Sequence, residues 1–599
     1  MLVFHQEDFR SRFDRLYDIR HDLQLVTKNG LVGFTSTLLA SFAITLQHAG
    51  AYRKNILRRA GVDPETLKEN ILTTLRVRFL DVLSLGSLEV VQTCVLLGSY
   101  YLYYGRPELS WPICGCGLRV AQALNLHRKL ATSDSTSRSP GSQSNEVRKR
   151  TWWAVYEIET ICSMLYGYPL TISEHDCDVE TLDPHADQQN YRPSPLARDS
   201  SINVATLLSY KYFMSKLLMI VRAGLTDLYH VHQHPANPGT SSANRTTRLQ
   251  QLIYQVAELD DRLRHWHQEL PPTLRLENVE ASASSYHLRE EIDADIGASG
   301  ARFESHIFQL QALALSLAFE NARILVHRPL LSYKIIPPAP TDPQGKGMAT
   351  FPSSAASNPF QRSIQACREA ALRTSAVGST PIFHYASTTY AAAFFGMHLF
   401  TAGVTLCILA SLAPLSMQSQ EAKIGVHRLL EMQLSLKESS NLAAQSHRIL
   451  KNLADLILQK EKEKMFEFSA LEEAAQTVPI VDGWPEHSRK DIGESLPRIS
   501  DASAATVETQ DNASLPATGD LGETSIFNPD YGIIDFDFDE NPSVTNMLLD
   551  LEQAMYDSSG DTTVPDNGLS NLSSHPTGND YIEQEGWIWG VDFFPGANG

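Results

Sequence analysis

Cysteine is scarce in this chain, and what there is lies scattered. Seven stand among 599 residues, Cys94, Cys114, Cys116, Cys162, Cys177, Cys367 and Cys407, with no Cys-x-x-Cys pair and no short window that holds six. A small, odd number set mostly in apolar segments suits buried thiols in a reducing compartment. Bases are missing from one end: residues 501–599 hold 19 Asp and Glu but no Lys or Arg, while residues 1–500 hold 50 of each sign. The net charge of −19 therefore belongs to the last hundred residues, and the body is neutral. A neutral body lacks the basic footprint on which phosphate contacts depend. Also absent are Gly-x-Ser-x-Gly, Gly-x-x-x-x-Gly-Lys, Gly-x-Gly-x-x-Gly and His-Glu-x-x-His. Each spacing places a nucleophile, a phosphate cradle or a metal pair, so no enzyme is expected and no catalytic residue is assigned.

What is present is helical periodicity. Cys114, Leu118, Ala121 and Leu124 recur at steps of three and four, which gives one apolar face over residues 111–128. After a polar, serine-rich loop at 131–145, Val147, Thr151, Ala154, Ile158, Ile161 and Leu165 repeat the pattern. Trp152, Tyr156, Ser163 and Tyr166 form a second stripe beside them. A helix with two such stripes is covered on most sides. Gly167 supplies a left-handed stop, and Pro169 cannot continue the helix.

These residues resemble the fungal-specific transcription factor domain, the middle homology region that follows Zn₂Cys₆ binuclear-cluster DNA-binding modules. The resemblance rests on Trp111, Arg119, Ala121, Leu124, Leu126, His127 and Arg128. It continues with Glu146, Lys149, Arg150, Trp152, Trp153, Tyr156, Glu159 and Gly167-Tyr168-Pro169. Two positions depart from the family pattern, Glu159-Thr160 for Asp-Arg and Tyr168 for the Arg of Gly-Arg-Pro, which weakens any ion pair carried over from it. The resemblance implies an all-α regulatory domain with long loops, here residues 1–470 with its central motif at 85–184. It also implies a transcription regulator in the nucleus, acting on RNA polymerase II genes of a metabolic or biosynthetic set. No zinc or other cofactor is expected in this chain; zinc would come only with a six-cysteine module, which either lies upstream of the sequence or is absent. DNA contact would then come through that module or a partner protein, and self-association is compatible with the family. A cofactor recruited by another DNA-bound factor is the nearest alternative.

In chain order, charge interrupts Met1 to Phe9 at once, so no secretory signal is expected. Phe9, Phe13, Leu16 and Tyr17 keep helical spacing, and their entry pattern resembles the start of the family domain. The uncharged segment 31–47 reads as a core helix. Arg53, Lys54, Arg58 and Arg59 read as a solvated helix face in preference to an import signal. Asp63 caps a helix that opens on Pro64, and 85–104 forms another. His127 and Arg128 are expected to close the first motif helix as cations near its C-terminus. Glu174, Asp176, Asp178 and Glu180 alternate, which in an extended segment sets four carboxylates on one side. No metal is assigned to them, to Cys114 and Cys116, or to His230, His232, His234, His265 and His267, because complementary ligands are missing. Further helices are expected at 200–228, 249–270, 303–328 (ending in His-Arg-Pro) and 429–464, with an insertion loop at 337–359. Residues 386–420 contain no charge and meet the length of a membrane span, which keeps a membrane-associated helical protein as a rival; His398, Thr401, Thr405 and the lack of basic flanks favour a packed core helix.

Residues 471–599 are rich in Ser, Thr, Gly, Pro, Asn and Asp, a composition expected to remain disordered. Three acidic clusters punctuate this tail, around Phe536 and Phe538, around Leu548, Leu549 and Leu551, and around Trp587, Trp589, Phe593 and Phe594. Acids keep such hydrophobes solvated until a partner groove accepts them. The tail is the candidate activation region, with a coactivator or the general transcription machinery as its partner and no membrane.

Overall fold

The computed structural model describes residues 3–476, except 29, 105, 130–139, 187–204, 230–241, 280–290, 292–300, 336–357, 388, 390 and 438. Every regular element among the described residues is helical, as the periodicity predicts. Two compact units are distinguished, whose described residues fall within 3–462 and 463–476. The described part of the second is the end of the last helix.

In order, the helices are α1 (Gln6–Ile19), α2 (Leu23–Lys28), α3 (Val32–His48), α4 (Ala51–Arg59), α5 (Pro64–Val77), α6 (Phe79–Ser84), α7 (Leu88–Tyr103), α8 (Pro107–Ala123) and α9 (Pro140–Tyr166). There follow α10 (Ser209–Gly224), α11 (Ser242–Glu269), α12 (Leu276–Val279), α13 (Ala301–Ile335), α14 (Pro359–Ala376), α15 (Pro381–Ala386), α16 (Ala392–Leu412), α17 (Met417–Leu436) and α18 (Asn441–Gln476). The chain folds as a succession of neighbouring pairs. α3 packs on α5 and α7, α7 on α8, both on α9, and α9 on α10. α10 and α11 pack on α13, which meets α14 and α16; α14 and α16 close on α17. A single apolar cluster runs from Val91 in α7 to Ile457 in α18, and a smaller one joins α3, α5 and α7.

Local chemistry accounts for the boundaries. Asp63 accepts from the Thr66 N–H at 2.9 Å and Pro64 opens α5, as expected. α8 ends at Ala123, earlier than the periodicity suggests, because Asn125 takes the left-handed conformation (φ 55°) and the Leu126 N–H reaches back to the Ala121 carbonyl at 3.0 Å. α9 begins at Pro140, so it takes the last residues of the expected serine-rich loop; Gly167 ends it at φ 71°.

Three expected helices are corrected. The first, expected at 303–328, runs to Ile335 straight through Pro329. A proline deprives the carbonyl four residues earlier of its N–H. Here that is Leu325, whose carbonyl instead accepts the Tyr229 hydroxyl at 2.7 Å. The second, expected at 200–228, is helical over Ser209–Gly224 and then widens into a π turn over Leu225–Tyr229, which carries that tyrosine. The third, expected as one amphipathic helix over 429–464, is two, broken before α18, where Ser440 Oγ accepts from the Ala443 N–H.

The uncharged segment becomes α16. It is long and apolar enough to cross a membrane, yet 89% of its apolar window is buried inside the structure. His398 within it meets Asn321 of α13 at 2.8 Å, and Gln433 of α17 donates to the Gly396 carbonyl at 2.7 Å. Neighbouring helices thus engage His398 Nδ1 and the Gly396 carbonyl, while the Thr401, Thr405 and Ser411 hydroxyls donate to carbonyls of α16 itself.

Candidate functional site

The central motif is assembled where α7, α8, α9 and α10 meet. α7 and α8 approach unusually closely. A Cβ on Gly98 would fall 2.2 Å from Cys114 Sγ, and one on Gly117 would fall 2.6 Å from Cys94 Cβ. The cysteines therefore act as small apolar side chains opposite glycines, and burial pushes the Cys94 thiol up to about 12. Ser110 bridges the pair by donating to the Gly98 carbonyl at 2.8 Å.

α9 is buried on nearly all sides from Arg150 to Met164, with Glu157 half-buried. Trp152 is 1% exposed, and its ring lies 5.7 Å from that of His127. Trp153 donates from Nε1 to the Glu180 carbonyl at 3.0 Å. Tyr156 donates to Glu174 Oε1 at 2.8 Å, and burial, the first cause, holds its phenol far above its ordinary value. Trp111 stacks on Tyr168 at 4.9 Å, so the tyrosine of Gly167-Tyr168-Pro169 packs on the motif's first tryptophan. Pro169 follows in the segment that runs back along α9.

Glu159 is buried, with both carboxylate oxygens engaged. One carboxylate oxygen accepts from the backbone of Thr171 and Ile172 and from the Thr171 hydroxyl; the other meets Arg222 of α10. Arg222 is 1% exposed, donates also to the Ile172 carbonyl, and lies 5.0 Å from the centre of the Tyr156 ring. An ion pair thus exists at this place, with a base that sequence reasoning did not single out.

The cationic pair expected to close α8 does something else. His127 and Arg128 stand beyond the helix, and the His127 carbonyl accepts from Asp178 and Val179 at 3.1 and 3.2 Å. Burial and the neighbouring Arg128 lower the His127 imidazole below its ordinary value. The carbonyls at the end of α8 are served by Arg148 of α9, which donates to that of Leu124 at 2.7 Å. Lys129 completes the clasp, its N–H on Asp178 Oδ1 at 2.8 Å and its ammonium on Glu180 at 2.6 Å.

The alternating acids are therefore dispersed. Glu174 to Asp176 turn as a 3₁₀ helix and the four carboxylates do not share one side. Glu174 turns to Tyr156, Asp178 and Glu180 to Lys129. Elsewhere in the motif, Glu146 pairs with Lys149 at 2.8 Å and approaches Arg150 at 3.7 Å, while Arg150 reaches the Phe4 carbonyl at 3.3 Å. Arg119 is exposed and donates to Gln122 at 2.9 Å.

Among the described residues no three His, Cys, Asp or Glu side chains are placed to hold a metal ion. The cysteines do not fit a binuclear zinc cluster: Cys94, Cys114, Cys162, Cys367 and Cys407 are buried, Cys116 and Cys177 are half-buried, and no three of them gather around one point. His265 pairs with Glu269 at 3.1 Å, whereas His230, His232 and His234 lie outside the described residues. So do Phe536, Phe538, Leu548, Leu549, Leu551, Trp587, Trp589, Phe593 and Phe594.

A second polar constellation escaped sequence reading. His327 Nε2 lies 3.3 Å from Asp260 Oδ1, and its Nδ1 lies 3.1 Å from Ser363 Oγ. All three residues are at most 6% exposed, so the arrangement ties α11, α13 and α14 together without access for a substrate.

Residues 4–268 match the model of the fungal specific transcription factor domain. The chain is 22% identical over 256 residues to Activator of stress genes protein 1 of Candida albicans, covering 43% of this chain and 24% of that protein. It is 27% identical over 263 residues to Transcription factor FBD3 of Gibberella moniliformis, covering 42% and 28%. It is 25% identical over 262 residues to Oosporein cluster regulator OpS3 of Beauveria bassiana, covering 41% and 34%. The chain spans about a quarter to a third of the length of these relatives. Over residues 4–268 it carries a fungal specific transcription factor domain.

Proposed function

We propose that the chain regulates transcription of RNA polymerase II genes in the nucleus. The helical body, to about residue 470, is the regulatory part, and the acidic tail from 471 recruits a coactivator or the general transcription machinery. The observation that carries this reading is the family match over residues 4–268, which contains the whole clasped motif. The relative named Oosporein cluster regulator OpS3 supports a metabolic or biosynthetic gene set as the target, and the one named Activator of stress genes protein 1 supports an activating role. DNA is reached through a zinc module or a partner protein, since residues 1–500 hold equal numbers of acids and bases and no six-cysteine window. Recruitment without a chemical step is in keeping with a motif whose polar groups are engaged in packing.

The test tethers the full chain to a heterologous DNA-binding domain upstream of a reporter. Activation that disappears when Phe536, Phe538, Leu548, Leu549, Leu551, Trp587, Trp589, Phe593 and Phe594 become Ala supports the reading. No activation, or activation untouched by those substitutions, removes the tail from it. Direct promoter binding by the untethered chain at physiological salt would overturn the assignment of DNA contact to another module.

A further inference from the structure

α17 turns one side into the body and leaves the other bare. Gly425, Val426 and Leu429 are buried, whereas Met417, Glu421, Ile424, Arg428, Glu431 and Ser435, at alternating steps of four and three, are all exposed. Met417 is 84% exposed, the highest value for a large hydrophobic among the described residues, and Ile424 is 55% exposed. Leu434 is exposed beside the far end of this stripe. At the near end Leu415 is also exposed, and it is held at φ 67°, a left-handed conformation that is costly for a leucine. Glu421 and Arg428 make no hydrogen bond or ion pair among the described residues, and Glu431 has only His427 near it, at 3.8 Å. α17 lies beyond residues 4–268, which match the family domain.

From Leu415 to Leu434 the order along this face is apolar, acid, apolar, base, apolar. Read from the other end it is the same order with the charges exchanged. Two such helices laid antiparallel about a two-fold axis at Ile424 therefore complement one another. At a rise of about 1.5 Å per residue, Glu421 stands about 4.5 Å before the axis and Arg428 about 6 Å after it, so each Glu421 comes beside the partner's Arg428. Gln418, whose Oε1 already accepts from Arg368 at 2.6 Å, keeps its amide N–H groups for the partner's Glu431. Leu415 and Met417 then reach the partner's Leu434. Other occupants fit this face less well. A parallel pairing sets like charges on each other at both positions. A nucleic acid backbone or an acidic segment is opposed by Glu421 and Glu431, and a basic segment by Arg428.

We infer that two copies of the chain associate through α17, antiparallel, about a two-fold axis at Ile424. The contact is a single helix pair, in the class of small and reversible interfaces, so the dimer forms and dissociates with concentration.

Sedimentation velocity of the full chain over a range of concentrations should show a monomer–dimer equilibrium. Glu421→Arg opposes like charges at both symmetry-related contacts and should weaken dimerisation about tenfold, as should Arg428→Glu. The chain that carries both substitutions sets opposite charges together again and should return to the parent's dissociation constant. Mixing the two single variants is the sharper case: each self-associates poorly, yet together they should form a heterodimer as tight as the parent dimer. Should either reversal disturb the fold, judged by helical circular dichroism, Ile424→Asp places two carboxylates at the axis and should weaken dimerisation to a similar extent. A monomer throughout the concentration range overturns the inference. So does a dimer indifferent to these substitutions, or one that the reversals weaken and that neither the double variant nor the mixture restores.

Discussion

The Arg222 guanidinium meets the Glu159 carboxylate in the interior, 63 residues away along the chain, with both side chains at most 5% exposed. The pair joins α10 to α9, and both side chains also bond the backbone of Ile172. Removing one partner strands the other charge in a low dielectric. Arg222→Met is expected to cost about 3 kcal/mol of unfolding free energy. Adding Glu159→Gln, which keeps an acceptor for the Thr171 and Ile172 N–H groups, should restore part of that loss. Urea denaturation of the single and double variants checks both; a double variant less stable than Arg222→Met contradicts the stranded-charge account.

Close approach of α7 and α8 predicts rescue. Gly98→Ala places a methyl on Cys114 Sγ and should destabilise by about 2 kcal/mol through overpacking. Cys114→Ala removes the obstructing sulfur, so the double variant is expected to be more stable than Gly98→Ala alone. Thermal unfolding of the three proteins decides it.

Tyr229 replaces the donor that Pro329 removes. Tyr229→Phe leaves the buried Leu325 carbonyl without that hydroxyl, at an expected cost of about 1–2 kcal/mol. In Tyr229→Phe/Pro329→Ala a backbone N–H becomes available to the same carbonyl, and the penalty should shrink. An equal penalty with proline or alanine at 329 would show that the hydroxyl is not compensating for the proline.

His398 predicts acid sensitivity. Its Nδ1 accepts from Asn321, its Nε2 has no hydrogen-bond partner, and burial pulls the imidazole from 6.5 down to about 3. The folded pKa lies below the unfolded one, so stability is intact above about pH 6.5 and falls as pH drops toward 3, by about 1.4 kcal/mol per pH unit. His398→Gln should flatten this window in denaturation curves taken between pH 7 and 4.

Helix type and burial were legible because they depend on local periodicity. The double stripe of α9 announced a helix covered all round, and the His, Thr and Gly residues of α16 favoured packing against protein over lipid. Helix ends were legible where the stop is a glycine, as at Gly167, and illegible where it is Asn125 or the turn before Ser440, since both residues also occur inside helices. Pro329 misled for a clear reason: its tolerance depends on Tyr229, a hundred residues earlier. Arg222 and Arg148 were missed in the same way. Nothing near either residue marks its partner, and only the packing of α9 against α8 and α10 brings them together.

The clasp around His127 and Arg148 separates two jobs that a connecting segment usually combines. Arg148 holds the end of α8 at Leu124, and the His127 and Lys129 backbones hold residues 178 and 179, so the chain leaves and re-enters the body at anchored points. The register of α8 against α9 is thus set by Arg148, by Lys129 and by the His127 backbone, so lengthening the chain between residues 129 and 140 with a reporter tag is expected to leave the unfolding midpoint of the helical body nearly unchanged.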